Sequence, residues 1–366
     1  MLEAVLFRTI ATASGRVFGR ATLNAPASLN ALSLEMVDLL NPQLQAWADD
    51  PRVAGVVLDA AGDKAFCAGG DVVALHRSIT ATRSGQVPQE AAAFFEREYR
   101  LDHRIHTYPK PLLCWGHGIV MGGGIGLLAG ASHRVVTART KLAMPEITIG
   151  LYPDVGGSWF LSRAPGRSGL FLALTGAPLN ASDACFAGLA DIQLRQEDHG
   201  AVLEAIAGAH WSGTRADDAA RLSHLLEARA DGIERPNSPL RSLVDRIAAV
   251  IGNDRLEDIA PRLLALADDD YPWLANAAAA FAKGSPTSAR LSFEMQRRAK
   301  HLSLADVFRL EYQASVGCCT HGDFAEGVRA LLIDKDKAPR WRPAPADIAA
   351  LMAPRFEGEH PLADLH

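Results

Sequence analysis

VAGVVLDAAGDKAFCAGGD, residues 53–71, is the stretch whose reading decides the fold. Val53 to Ala60 is a run of β-branched and aliphatic residues without a helical stripe, which predicts a strand buried on both faces. Ala65 to Asp71 follows as a glycine-rich loop, where glycine permits positive φ and lets backbone N–H groups approach a ligand closely. The same order recurs twice downstream. PLLCWGHGIV (111–120) reads as one buried strand feeding MGGGIG (121–126) and an apolar helix; HRVVTA (133–138) precedes MPEITIGLYPDVGGSWFLSR (144–163), with an acid-bearing loop before a helix. Strand, loop and helix in succession predict an α/β layered core with functional groups in the loops.

Upstream, AVLFRTI (4–10) and GRVFGRATL (15–23) flank a turn and predict a hairpin. LEMVDLLNPQLQAW (34–47) has a helical stripe at Leu34, Val37, Leu40, Leu44 and Trp47, with Ser33 as cap. Pro42 is expected to kink or split this helix. Gln89 to His106 is helix-prone. IERPNSP (233–239) is linker-like, which sets an expected division into a core carrying the site (1–238) and a helical C-terminal region (239–366). Ser285 and Pro286 read as a helix start, and residues 334–366 as irregular.

The 366 residues are 48% hydrophobic and 22% charged, a globular composition with enough length for a sizeable core. Charged residues, glycine or proline interrupt every apolar run well short of the roughly 20 residues that a membrane helix needs, so no membrane is expected. The net charge of -5 and the lack of a concentrated basic run argue against nucleic acid. An N-terminus without a secretory pattern and five scattered cysteines point to the reducing cytoplasm. Neither CxxC nor HExxH occurs, and His103 and His106, three apart on one helix, have no evident third ligand; no metal is expected. A G-x-S-x-G elbow is missing, and Gly124-x-Gly126-x-x-x-Gly130 misses the dinucleotide spacing. His117 reads as a core or turn histidine and Cys67 as a small buried thiol.

Two features carry chemistry. The glycine runs around Gly70 and Gly123 are either ligand-approach loops or tight turns. Glu146 and Asp154, eight residues apart among proline, glycine and apolar side chains, are either a desolvated proton-transfer pair or a helix cap beside a solvated loop charge.

The blocks LNAPASLNALS, AFCAGGD, FFEREY, HGIVMGGGIGL, AMPEITIGLYPDVGG, LALTGAPL, SPTSARL, DFAEGVRALLIDKD and PRWRP span nearly the whole chain. Together they resemble the crotonase (enoyl-CoA hydratase/isomerase) superfamily and, within it, its 3-hydroxyisobutyryl-CoA hydrolase branch. The resemblance implies an α/β crotonase-like ββα spiral core with a helical C-terminal region, and hydrolysis of a short 3-hydroxyacyl-CoA thioester. It implies that the Gly70 and Gly123 N–H groups form an oxyanion hole, that Glu146 is the acid, base or nucleophile, and that Asp154 is the second carboxylate. Glu98 matches an acidic substrate-binding position, the alternative being a surface ion pair with Arg97 or Arg100. The loops holding Leu29, Ala31, Ala68 and Asp71 are implied to pass the CoA chain. Hydratases keep a glutamate three residues beyond the second oxyanion glycine; here that residue is Gly126, which favours hydrolysis over hydration or isomerisation, and the intact glycines and carboxylates disfavour a non-catalytic acyl-CoA binder. CoA enters as part of the substrate with no separate cofactor, and the family suggests a homo-oligomer, trimer or hexamer.

Overall fold

A computed structural model describes residues 3–345 and 347–366. Its strands are β1 (Val5–Ala11), β2 (Val17–Leu23), β3 (Val53–Ala60), β4 (Ala65–Cys67), β5 (Leu112–Gly116), β6 (Ile119–Met121), β7 (His133–Thr137), β8 (Lys141–Ala143) and β9 (Ile192–Leu194). A six-stranded sheet runs β1-β2-β3-β5-β7-β9 and a three-stranded one β4-β6-β8. In the larger sheet β1 and β2 form the expected antiparallel hairpin, and every later pairing is parallel.

The chain divides into two compact units, each discontinuous in sequence. The first holds the residues up to Gly70, Leu101–Leu142 and Leu179–Ser238; the second holds Asp71–Arg100, Ala143–Pro178 and Pro239–His366. The cut expected after residue 238 is thus one of several. A linker-like composition marks one crossing of the chain, and nothing comparable marks the others.

In the first unit the sheet buries Phe18, Val57, Leu113, Trp115, Val135 and Leu194 against helices Asp198–Gly208 and Arg215–Ala230. The Phe18 and Trp211 rings pack at a 56° tilt with centroids 4.5 Å apart. The first helix, Leu34–Asp49, is capped by Ser33, whose Oγ accepts the Met36 N–H at 3.2 Å. It runs through Pro42 as a single element, so the expected split does not occur. Proline inside a helix costs about 3 kcal/mol. Five buried side chains, Met36, Val37 and Leu40 before it and Leu44 and Trp47 after it, each contribute about 1.5–3 kcal/mol and outweigh that. PLLCWGHGIV is not one strand: it breaks at His117-Gly118 into β5 and β6, which belong to different sheets. Gly118 has φ +59°, and a Cβ there would lie 2.2 Å from the Lys64 carbonyl oxygen.

The second unit is helical. Ser285 caps Pro286–Ala299 through the Ser288 N–H, as the sequence predicts. Helix Leu304–His321 is buried along Phe308, Glu311, Ser315 and Cys318. The proline-rich tail is held against it: Arg309 donates to the Leu362 carbonyl at 3.0 Å, His360 Nε2 meets the Arg309 carbonyl at 3.1 Å, and Leu362 is fully buried. Among the described residues no helix is long and apolar enough to cross a membrane.

Candidate active site

In the first unit the loop Leu29–Leu32 is set by Asn30, a residue sequence reasoning did not single out. Leu29 and Asn30 both have positive φ, +55° and +53°. The Asn30 amide donates to the Ala61 and Ala65 carbonyls, both at 2.9 Å, and its Oδ1 accepts the Ala25 N–H at 2.8 Å. Asparagine suits this position because its short amide tolerates left-handed backbone and bonds locally. The loop is thereby joined to the glycine loop after β4: Ala68 N–H donates to the Leu29 carbonyl at 3.1 Å and Leu32 N–H to the Gly69 carbonyl at 2.8 Å. Leu29, Ala31, Ala68 and Gly70 therefore share one backbone-braced locality. The Asp71 carboxylate accepts the Ala74 N–H at 3.0 Å and caps helix Val72–Ala81, a structural role.

The second glycine run packs backbone to backbone against the first. A Cβ on Gly124 would lie 2.4 Å from the Cys67 carbonyl oxygen, and one on Gly69 would lie 3.3 Å from that of Met121. Gly122, at φ +47°, turns the chain into helix Gly123–Ala129. The N–H groups of Ile125 and Gly126 both return to the Gly122 carbonyl, and those of Gly123 and Gly124 precede the intrahelical ladder. Main-chain donors unobstructed by side chains suit an oxygen that gains negative charge. The helix itself, GGIGLLA, offers no ionisable side chain.

In the second unit four carboxyls are buried together with three hydroxyls. Exposure is 2% for Glu98, 4% for Glu146, 5% for Asp154 and 0% for Glu311, which leaves neither Glu146 nor Asp154 as a solvated loop charge and removes the surface-pair reading of Glu98. Arg100 instead pairs with Glu96 and Asp364. Glu146 opens the short turn Glu146–Ile149, closed by Gly150 at φ +75°. Its Oε2 is buried without a hydrogen-bond partner. Asp154 Oδ2 accepts the Tyr99 hydroxyl at 2.6 Å. The next residue, Val155, holds φ +54°, an outlier for a β-branched side chain. Glu311 braces this turn, accepting Gly156 N–H at 2.7 Å and Ser158 N–H at 2.9 Å.

Burial pushes Glu98 and Glu146 well above the usual carboxyl range, and the charge of Asp154 adds to the effect. Burial also raises Glu311 to about 8, with Asp154 contributing and the two backbone N–H groups opposing. Asp154 rises only to about 6, because the Tyr99 hydrogen bond holds it back against burial. Burial thus raises all four carboxyls, and at Asp154 the Tyr99 hydroxyl and the backbone N–H oppose it.

Tyr99, Glu311 and Ser315 were not legible as site residues. Tyr99 adjoins Glu98 in FFEREY, and Glu311 and Ser315 lie at i, i+4 on the buried face of one helix, the signal that was there to find. His117 is a turn histidine, its Nε2 2.9 Å from the Gly62 carbonyl, and burial lowers its pKa. Burial holds His106 at about 4, and among the described residues no group of three His, Cys, Asp or Glu side chains is placed to hold a metal ion.

The enoyl-CoA hydratase/isomerase family model matches residues 18–352. Among curated relatives, the mitochondrial 3-hydroxyisobutyryl-CoA hydrolase of Gallus gallus is 39% identical over 89% of this chain and 82% of its own length; that of Homo sapiens is 37% identical over the same shares. Two crystal structures are similar. A carnitinyl-CoA dehydratase from Mycobacterium thermoresistibile has a TM-score of 0.83 at 39% identity, covering 98% of this chain and 100% of its own. An enoyl-CoA hydratase from Rhodobacter sphaeroides 2.4.1 has 0.80 at 36%, covering 96% and 97%. Parallel sheet, glycine loops and these matches agree with the crotonase-like α/β fold read from the sequence, and the chain belongs to the enoyl-CoA hydratase/isomerase family.

Proposed function

We propose that this enzyme hydrolyses a short 3-hydroxyacyl-CoA thioester, 3-hydroxyisobutyryl-CoA foremost, to CoA and the 3-hydroxy acid, a step of valine degradation. One observation carries the choice of reaction: helix Gly123–Ala129 has no acid or base along its length, Gly126 included, whereas Glu146 and Asp154 sit in one buried cluster. Syn addition of water to a double bond needs a proton donor and a base flanking it. Hydrolysis needs an oxyanion site and one carboxylate. The relatives named as hydrolases support the same reading. The runner-up, hydration or dehydration, is favoured by the names of the two similar structures.

In this reading the N–H groups of Gly70 and Gly123 stabilise the thioester oxygen as it becomes an oxyanion, each donor being worth about 3–4 kcal/mol. Once the charged Asp154 has taken its proton, Glu146 either attacks the carbonyl, expelling CoA thiolate and leaving a mixed anhydride that water cleaves, or takes a proton from water as that water attacks. Asp154 orients the water, binds the 3-hydroxyl or shares the proton with Glu146. Glu98, Leu29, Ala31, Ala68 and Asp71 lie on the segments assigned to substrate. No cofactor is required beyond the CoA of the substrate. A homo-oligomer and a cytoplasmic location complete the proposal; the five cysteines form no disulfide, in keeping with a reducing compartment, while the curated relatives are named as mitochondrial.

The test is thiol release from 3-hydroxyisobutyryl-CoA measured beside the loss of crotonyl-CoA absorbance. Thiol release with an unchanged crotonyl signal is expected. Failure to release CoA from any short 3-hydroxyacyl thioester overturns the proposal, and crotonyl turnover alone favours the hydratase.

A further inference from the structure

Three hydroxyls line up behind Asp154, and counting their protons gives the line a direction. Four contacts join them: Tyr99 to Asp154 Oδ2 at 2.6 Å, Tyr99 to Ser315 at 2.7 Å, Tyr152 to the Glu311 carbonyl at 2.7 Å, and Tyr152 to Ser315 at 3.0 Å. A carbonyl only accepts, so the Tyr152 proton goes to Glu311. The Tyr99 contact lies in the 2.5–2.7 Å range of O–H donors on carboxylates, so the Tyr99 proton goes to Asp154. One proton remains, that of Ser315, for two contacts. It belongs to the shorter one, toward Tyr99. The result is a directed chain, Ser315 to Tyr99 to Asp154, in which each bond polarises the next.

We propose that Tyr99, backed by Ser315, is a positioning residue that keeps Asp154 as the charged member of the buried acid cluster and thereby sets the acid limb of catalysis. Of the two acids assigned to the chemistry, Asp154 is the one that a side-chain donor meets. An ionised carboxylate buried without donors is costly, and Glu146 Oε2 has none, while Asp154 has Tyr99. The groups facing Asp154 are Glu98 and Tyr99 from helix Gln89–His106, Glu146 from its turn, Tyr152, and Glu311, Cys318 and Cys319 from helix Leu304–His321. All are carboxyls, phenols or thiols, so their charges would oppose that of Asp154, which is stabilised by the Tyr99 hydroxyl first and by its own backbone N–H second. The short Tyr99 contact and burial act in opposite directions on Asp154.

The inference rests on the hydrolase reading for its assay. The experiment is the pH profile of kcat/KM, which reports the free enzyme, for the wild type and for Tyr99→Phe, Ser315→Ala and Tyr152→Phe. Tyr99→Phe removes the donor to the charged form, so the acid limb moves to higher pH by about one unit, the scale of one charge-assisted hydrogen bond. Ser315→Ala moves it the same way by less. Tyr152→Phe deletes an equally buried hydroxyl but leaves the limb in place, because its proton does not point toward Asp154. A limb that stays put in both Tyr99→Phe and Ser315→Ala, or that Tyr152→Phe moves as far, overturns the inference. Loss of thiol release on every acyl-CoA in the wild type is a different result and overturns the function instead.

Discussion

Gly124→Ala tests whether the two glycine loops act as one backbone device. The new Cβ would stand 2.4 Å from the Cys67 carbonyl oxygen and 2.9 Å from the Cys67 Cβ. Ordinary contacts of this kind sit near 3.5 Å, so about 1 Å of movement is needed. The obstacle is main chain that cannot swing aside, since the Ala68 N–H bond to the Leu29 carbonyl and the Leu32 N–H bond to the Gly69 carbonyl tie the Cys67–Gly70 loop to Leu29–Leu32. Overpacking of this size costs about 1–3 kcal/mol, and alanine in place of helical glycine returns about 0.5–1 kcal/mol. The net loss of stability is therefore modest. A donor misplaced by 1 Å, however, lowers kcat about 100-fold. The expected result is a kcat for thiol release down by roughly two orders of magnitude in a protein whose urea midpoint moves little. Gly200→Ala is the control: nothing lies within 4 Å of a Cβ there, so stability rises by a few tenths to about 1 kcal/mol and kcat is unchanged. A folded Gly124→Ala enzyme with kcat within about threefold of the parent would refute the coupling of the loops.

Glu146→Gln keeps the shape of the side chain and removes its chemistry, so kcat should fall by at least about 10³-fold while CoA affinity, measured by calorimetry, stays within about threefold. Equal losses in both would mean that Glu146 serves binding. Stability should fall as pH rises from 7 to 8. Burial raises Glu311 to about 8, far above its unfolded value, so over this interval the folded chain holds a proton that the unfolded chain has released, and the unfolding free energy declines with pH. The histidines with lowered values are neutral when folded but still about a quarter protonated when unfolded at pH 7, so they offset part of this loss without reversing it. The loss is about 1 kcal/mol per pH unit at most for one group; Glu311→Gln should flatten it, although one N–H loses its acceptor at about 1–3 kcal/mol. A urea midpoint that climbs from pH 7 to 8 contradicts the sign.

What could be read in the chain divides along physical lines. Strands of a parallel sheet are buried on both faces, so Val53–Ala60 and Leu112–Gly116 stand out as apolar runs, and caps such as Ser33 and Ser285 act within three residues of themselves. Pro42 does not split its helix because its penalty is local while the burial that overrides it is not. The break at Gly118 was hidden for the same reason: the carbonyl that demands glycine there is that of Lys64. Glu146 and Asp154 were visible as acids among proline and glycine, but which of the two carries charge depends on donors that arrive from afar. Tyr99 is 55 residues from Asp154 and 216 from Ser315, and the Glu311 oxygens meet N–H groups 155 and 153 residues away. Even so, one part of that arrangement had a local trace. Glu311 occupies the same helical stripe as Phe308, Ser315 and Cys318. A carboxylate in a buried stripe costs several kcal/mol unless donors meet it, so an acid at that spacing already implies a partner elsewhere in the fold. The structure supplies the partner as the backbone of the strained turn after Asp154, which ties the buried carboxyl of Glu311 to the turn that carries Asp154.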